Sequence, residues 1–583
     1  MTLHERMSKA FSRQLLGVLS GTALALLAAS PESRAAAYGT VDLLAAPPDI
    51  TASVAPNLVL TLDDSGSMAN AYMPDQRPYD GAGWGSPYQC AAVIDPRVAA
   101  PDPRALPMNG VYYNPNTTYQ VPLKSDGVTP FPTPSFTGAW NNGIQYNRPD
   151  SPVTTGGTAN LSTTKFCGVT GAGYYRYKST APALTTNAVT GKITNTGTLY
   201  TSGNWEWVAL PAAEQTNFAI WYSYYRTRIN SAITAIARAY APFDENVRVA
   251  WQNINSNKLA AGTTKVYKFA DVAAVYNTRK EFYKWLFATP ASGNTPNQSA
   301  TDRVGKLYQY GQGIYDDRNP YWDRDLNLEL SCRQNFHILM TDGLWNNSTV
   351  NAAQDDTTGV TLPDGRAYSV SATQSQVMWN ETATAKAQQT MADLGFQYWA
   401  KNLRPDFMAA VATRLRVPPY ISDKTTGLTG GPTYNPGDNP LDNAEIYWNP
   451  ANDPATWPHV VQFPIGFGVS GTIPRNANSL QQLRQGNIQW PAMVGTSPYS
   501  DTAEKIDDMW HMAINSRGEF FAADNPDDLI HALNDIVASI VARRGASTAA
   551  TAASSVLSVG AEGYRAGYDS SDWSGFATKH TID

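Results

Sequence analysis

The sequence is short of charge, of cysteine and of long apolar runs, and each shortage removes a class of protein. Charged residues are only 16% of the 583, with a formal net charge of −6, so the basic footprint that nucleic-acid binding needs is missing. The three cysteines, Cys90, Cys167 and Cys332, have no zinc-site spacing. In an exported chain they allow one disulfide, expected between Cys90 and Cys167 because both fall in one irregular segment, with one thiol left over. The six histidines are scattered, and without an H-E-x-x-H pair a zincin is excluded. After the N-terminus no stretch is apolar enough to span a bilayer, which takes ~20 residues.

What is present fits an exported protein with a real core. Hydrophobic residues reach 42%, enough for a packed interior and too many for a disordered chain. Tyr, Trp, Asn, Thr and Gly supply a neutral, aromatic-rich surface. Arg6, Lys9 and Arg13, the apolar run Leu15 to Leu27, and Ala35-Ala36-Ala37 have the order of a charged, an apolar and a cleavage region. Residues 1–37 therefore read as a signal peptide, with an uncleaved anchor as the alternative.

The most informative stretch is Asn57-Leu58-Val59-Leu60-Thr61-Leu62-Asp63-Asp64-Ser65-Gly66-Ser67-Met68. Its apolar half suits a strand buried on both faces of a parallel sheet. Asp63, Ser65 and Ser67 follow at alternate positions, where ligands bind in open α/β sheets. One carboxylate and two hydroxyls offer hard oxygens to a divalent cation. The alternative is an Asp capping a helix, with the serines serving the next turn.

Two later pieces favour the metal. Gly293-Asn294-Thr295-Pro296 opens a helix and offers a threonine hydroxyl, although a Thr before Pro also reads as a cap. Asn335 to Gly343 is a second buried strand ending in Thr341-Asp342-Gly343, with Asp342 at its carboxyl end. The set Asp63, Ser65, Ser67, Thr295 and Asp342 resembles the metal-ion-dependent adhesion site of von Willebrand factor A (vWA) domains. That resemblance implies a Mg²⁺ or Mn²⁺ ion, with an open position for an acidic group of a partner.

Between these pieces, residues 69–216 are dense in turn signals, too long for a simple loop, and read as a β-rich insertion projecting after the first strand. Phe218, Trp221, Tyr225, Ile229, Ile233, Ile236 and Tyr240 then form one helical stripe, capped by Thr216 or Asn217. Val247 to Trp251 reads as a strand, and short helices are expected near 279–287 and 300–308. A helix is also expected from Glu381 to Asn402, and a late strand from Val460 to Gly468. Pro464 puts that strand at an edge or a bulge. Asn525 and Pro526 open a last helix to about Val541, with Leu529, Leu533, Ile536 and Ile540 buried. The fold class is α/β: a vWA-like, doubly wound, mostly parallel sheet flanked by helices, spanning residues 38–544. Residues 545–555 read as an Ala/Ser/Thr linker.

The chain further resembles the type IV pilus assembly and tip-associated adhesin family of the PilY/PilC type. The resemblance is carried by Trp221 to Arg228, Phe336 to Gly343, Tyr398-Trp399 with Leu403 to Asp406, Ile465 to Thr472, Lys505 to His511 and Gly518 to Phe521. It implies a vWA-like domain joined to a C-terminal β-propeller, working with minor pilins at the pilus tip in assembly and attachment to surfaces. The implied location is the periplasm, the outer surface and the pilus tip. Residues 556–583 resemble the entry to the propeller, and the family's propeller calcium loop has no counterpart here. A non-adhesive scaffold for pilus assembly with a vestigial metal site is the alternative. Catalysis is not expected. Leu62-Asp63-Asp64 could open a haloacid-dehalogenase site, but Ser65 stands where that chemistry needs a second Asp. Ser65 also lacks the first Gly of a G-x-S-x-G elbow.

Overall fold

The computed structural model describes residues 54–73 and 109–545, except 167–168, 186–193, 200, 256–258, 273–275, 344, 347–349, 410–415, 425–438 and 494–502, together with the strand backbone of 551–552, 562–569 and 574–581. The signal-peptide reading and the Cys90–Cys167 pair lie outside the described residues; Cys332 is a free thiol.

A six-stranded sheet organises the described chain. Its strands are β1 (Asn57–Leu62), β2 (Arg248–Asn253), β3 (Tyr267–Lys268), β4 (Asn335–Thr341), β5 (Val461–Phe467) and β6 (Phe521–Ala523). They lie in the order β6-β5-β4-β1-β2-β3, and only the β2–β3 pairing is antiparallel. β1 is central, with Leu58 opposite both Phe336 and Val249. Every residue of β1, β4 and β5 is buried, as expected of strands covered on both faces.

Alternate residues feed two apolar layers. Leu58, Leu60 and Leu62 pack with α1 (Gln215–Tyr224), α2 (Arg228–Ala239), α3 (Thr278–Ala288) and α7 (Pro526–Gly545). Val59, Ala250 and Leu339 face α4 (Asn297–Gln309), α5 (Met391–Ala400) and α6 (Glu504–Asn515). On this second face a polar chain crosses four strands. Gln252 Nε2 donates to Thr61 Oγ1 at 2.9 Å, Thr61 Oγ1 lies 2.7 Å from His337 Nε2, and His337 Nδ1 lies 2.5 Å from Gln462 Oε1.

Four expectations about single helices and strands need correction. The stripe from Phe218 to Tyr240 is two helices, because Thr227 takes an extended conformation and caps α2 by accepting from Asn230 N. α1 opens after Glu214, and neither Thr216 nor Asn217 caps it; Asn217 instead accepts from Tyr119 N. The helix expected from Glu381 begins only at Met391, where Thr390 and Asp393 form a reciprocal capping box that overrides the helical composition before it. Pro464 is in an interior strand. Gln462 N and Gly468 N both point towards the β6 side, so by alternation Pro464 N does too. β6 pairs only from Ile465 onwards, and the missing donor therefore meets no strand.

Among the described residues of 109–209 the strands form short ladders and one longer hairpin, Gly173–Tyr177 with Trp205–Ala209. Val111, Tyr113, Phe131 and Tyr174 share an apolar cluster with Phe218 and Trp221 of α1, so this stretch lies against α1 rather than projecting from it. Trp221 Nε1 donates to Val111 O and Tyr225 Oη to Gln120 O. The last helix is as expected: Asn525 Oδ1 accepts from Asp527 N and Asp528 N, and its four stripe residues are buried. Near the C-terminus Glu562–Asp569 and Ser574–Thr581 form a hairpin, joined by Thr551–Ala552 from the expected linker.

Candidate metal centre

Three loops meet at the carboxyl ends of β1 and β4. The first follows β1 and carries Asp63, Ser65 and Ser67. The second precedes α4 and carries Thr295, and the third ends β4 with Asp342. The first two are joined by a bond from Gly66 N to Gly293 O. Gly293 has φ +110, and a Cβ there would meet Asn255 Cγ at 2.9 Å, so glycine suits this position on two counts.

The oxygens converge. Ser65 Oγ lies 2.9 Å from Ser67 Oγ, and Ser67 Oγ donates to Asp342 Oδ1 at 2.9 Å. Asp63 Oδ1 accepts from Ser65 N at 2.7 Å, and Asp63 Oδ2 accepts from Thr341 Oγ1 at 2.5 Å. Thr295 lies nearby, on the other side of Gly343: a Cβ built on that glycine would lie 3.8 Å from Ser67 Oγ, 3.7 Å from the Thr295 methyl and 3.9 Å from Thr295 Oγ1. Of the alternative roles, Asp63 does accept a local backbone N–H, that of Ser65 just ahead of the turn, while neither Ser65 nor Pro296 caps its helix through a side chain. The five expected residues sit on adjoining loops, and the direct side-chain contacts among them run from Ser65 through Ser67 to Asp342.

Electrostatics show what the cluster would accept. Asp63 and Asp342 are fully buried, whereas Gly66 and residues 292–294 are exposed and Ser67 is half-buried. The Asp63 carboxyl is pushed up to about 7, first by burial and then by the charge of Asp342, against hydrogen bonds from Ser65 and Thr341. A cation between the two carboxylates would relieve both causes. The hydroxyl and carboxylate oxygens suit a hard divalent ion that keeps one position for water or a partner oxygen.

Arg228 was missed as a site residue. The break between α1 and α2 places it at the first position of α2, where Nη1 donates to Asp342 Oδ2 at 2.7 Å and Nε to Tyr72 O at 2.8 Å. Its side chain is 1% exposed. The only signal for it in the sequence is its place in the Trp221 to Arg228 segment. Thr341 and Asp64 were also overlooked. Asp64 Oδ1 accepts from Asn255 Nδ2, and Asp64 O from Ser292 N, so Asp64 braces the loops from behind.

Comparison with known proteins supplies the lineage. The type IV pilus biogenesis factor PilY1 of Pseudomonas aeruginosa strain UCBPP-PA14 is 31% identical over 97% of this chain and 45% of its own length. PilY1 of strain PAK is 34% identical over 83% of this chain and 38% of its own length. The chain belongs with these PilY1 proteins. It spans less than half the length of the curated relatives it matches. No family model matches it. Among solved structures, the pilus adhesin SpaC of Lactobacillus rhamnosus GG aligns over 61% of this chain and 35% of its own, with 12% identity and a TM-score of 0.22, too low to bear on the fold. Among the described residues no helix is long and apolar enough to cross a membrane.

Proposed function

We propose that this chain serves type IV pilus biogenesis as a vWA-like adhesive and assembly unit, binding partners through a divalent cation held by Asp63, Ser65, Ser67, Thr295 and Asp342. The observation that carries the reading is the run of oxygens from Ser65 through Ser67 to Asp342, assembled from loops remote in sequence. Mg²⁺ or Mn²⁺ bound there would polarise an incoming carboxylate. When ionised, Asp63, Asp342 and Arg228 together carry one negative charge. A dication turns that to one positive charge, which an acidic group on a partner neutralises. The partners proposed on this basis are minor pilins of the tip complex, or surfaces bearing acidic groups. The sites of action are the periplasm, the outer surface and the pilus tip. The activity is binding, not catalysis. Residues 38–544 are proposed as the vWA-like domain, with an insertion at about 69–216, and 556–583 as the entry to a propeller-like domain.

One observation favours the second reading, a scaffold with a vestigial metal site. The guanidinium of Arg228 already neutralises one oxygen of Asp342. The two readings part on one experiment: thermal unfolding with and without Mg²⁺ or Mn²⁺, in wild type and Asp63→Ala, followed by capture of minor pilins. Metal-dependent stabilisation and capture, both lost in Asp63→Ala, support adhesion through the ion. Capture that ignores the metal and the substitution supports the scaffold.

A further inference from the structure

A second cluster lies apart from this site, between the excursion after β4 and helix α6. Asp355, Glu381 and His511 are 0%, 4% and 1% exposed, and one potential ligand atom from each falls within 4.8 Å of the others. Asp355 lies in the excursion, Glu381 follows the short helix Gln376–Trp379, and His511 is on α6. No spacing in the sequence marks them, because the fold alone brings them together.

The bonding around His511 fixes what the ring offers. Its Nε2 lies 2.8 Å from Met378 O, and a carbonyl only accepts, so Nε2 carries the hydrogen. With that hydrogen on Nε2, the neutral ring leaves Nδ1 a bare lone pair. The ring is fixed by stacking on Trp490, with centroids 4.4 Å apart and planes at 13°. Nδ1 faces Glu381 Oε1 at 3.5 Å, and Nε2 lies 3.5 Å from Asp355 Oδ2. A neutral ring gives neither carboxylate a compensating charge.

The surroundings add negative charge and orphaned oxygens. The carboxyl groups of Asp393 and Asp508 also lie close to Glu381. Asp355 Oδ2 accepts from Asn515 Nδ2, but Asp355 Oδ1 and Asn515 Oδ1 are buried without any partner. Asn515 is fully buried, and unpaired buried acceptors of this kind call for an explanation. Two donor atoms 3.5 Å apart and each ~2.1 Å from a common ion subtend about 110° there, the tetrahedral angle. Nδ1 faces Glu381 while Nε2 donates to a backbone carbonyl, which is how a ligating histidine is normally held; Asp355, whose Oδ2 approaches the ring beside Nε2, is the third group within 4.8 Å.

We propose that Asp355, Glu381 and His511 bind a divalent transition-metal ion, Zn²⁺ or Mn²⁺, that ties the excursion after β4 to α6. The set mixes imidazole with carboxylates, which suits such ions better than Ca²⁺ with its six to eight oxygens. The site is closed to solvent, so its role is structural: the ion enters as the excursion packs and holds it to the sheet's second face.

The test uses the purified chain, stripped with a chelator and reloaded with Zn²⁺, Mn²⁺ or Co²⁺. One Zn²⁺ or Mn²⁺ equivalent should survive dialysis in wild type and in Asp63→Ala, raise the melting temperature, and be lost in His511→Gln and Glu381→Gln. Co²⁺ in wild type should give the intense visible absorption of a tetrahedral site, which a six-coordinate site such as one at Asp63 and its neighbours does not produce. That reading stands even where the cluster variants fail to fold. Wild type with no such absorption and no retained equivalent overturns the proposal. So does a Glu381→Gln chain more stable than reloaded wild type, because a proton on Glu381 would then fill the place given to the ion.

Discussion

Replacing Arg228 by Met separates a working metal site from a closed one. Met keeps most of the length and removes the charge. Asp342 would lose its ion-pair partner at 2.7 Å, and Tyr72 O would lose the donor at 2.8 Å. Breaking one side of a buried pair costs about 3–5 kcal/mol, because the remaining charge is left uncompensated. For a chain of several hundred residues the unfolding entropy is about 1 kcal/mol per degree, so the melting temperature should fall by roughly 3–5 °C without metal. A cation beside Asp342 restores the missing charge, so saturating Mg²⁺ or Mn²⁺ should recover much of that loss. Arg228→Met should also bind the ion more tightly. A dication ~5 Å from a unit charge at an effective dielectric constant of ~20 is repelled by about 7 kcal/mol, and with screening the gain should still be ~10-fold or more. Differential scanning fluorimetry across a metal titration reads both effects. An equal loss with and without metal, or weaker metal binding in the variant, would refute the reasoning.

Three other expectations rest on parts of the fold away from the site. Burial holds the His337 imidazole down to about 4, so the unfolded chain takes up its proton near 6.5 and the folded chain does not. The stability this contributes is complete above pH 6.5 and is lost as pH falls towards 4, by up to about 3 kcal/mol. His337→Gln should flatten the pH dependence of urea unfolding across that window, and an unchanged slope would count against a buried neutral ring. Thr390→Ala removes a cap accepting from Asp393 N at 3.0 Å and should cost about 1 kcal/mol in the same assay; a cost below ~0.3 kcal/mol would show that Asp508, which accepts from Met391 N and Ala392 N, caps α5 by itself. Gly468 has φ +73, and a Cβ there would lie 1.8 Å from Met73 Cγ. Gly468→Ala should therefore destabilise the chain by more than the ~1 kcal/mol of an ordinary left-handed alanine, and a neutral result would mean that the loop after Ser67 shifts freely.

The parts of this fold written in contiguous patterns were legible in the sequence. β1 and β4 are unbroken apolar runs ending in acidic turns, and α7 announces itself with Asn525, Pro526 and a four-residue stripe. The loops that carry Asp63, Ser65, Ser67, Thr295 and Asp342 were legible for the same reason, since each ends or starts an element with a marked boundary. The rest depended on contacts between remote residues. Nothing local breaks the Phe218 to Tyr240 stripe; Thr227 does so as a cap, and Arg228 is drawn to Asp342, 114 residues away. Residues 381–390 have helical composition, yet Glu381 faces His511 and pairs with Trp490, which leaves Thr390 to start α5. Pro464 was misplaced because the length of β6, which makes its position tolerable, cannot be read from β5.

The central claim is that Asp63, Ser65, Ser67, Thr295 and Asp342 hold a divalent cation. It is tested most directly by a crystal structure of the chain grown with Mn²⁺ and measured for anomalous scattering. An anomalous peak is expected about 2.1–2.2 Å from Ser65 Oγ and Ser67 Oγ, with the Ser65–Ser67 hydrogen bond of 2.9 Å broken. A map with no peak between these loops, and with the run from Ser65 through Ser67 to Asp342 intact at millimolar Mn²⁺, would contradict it.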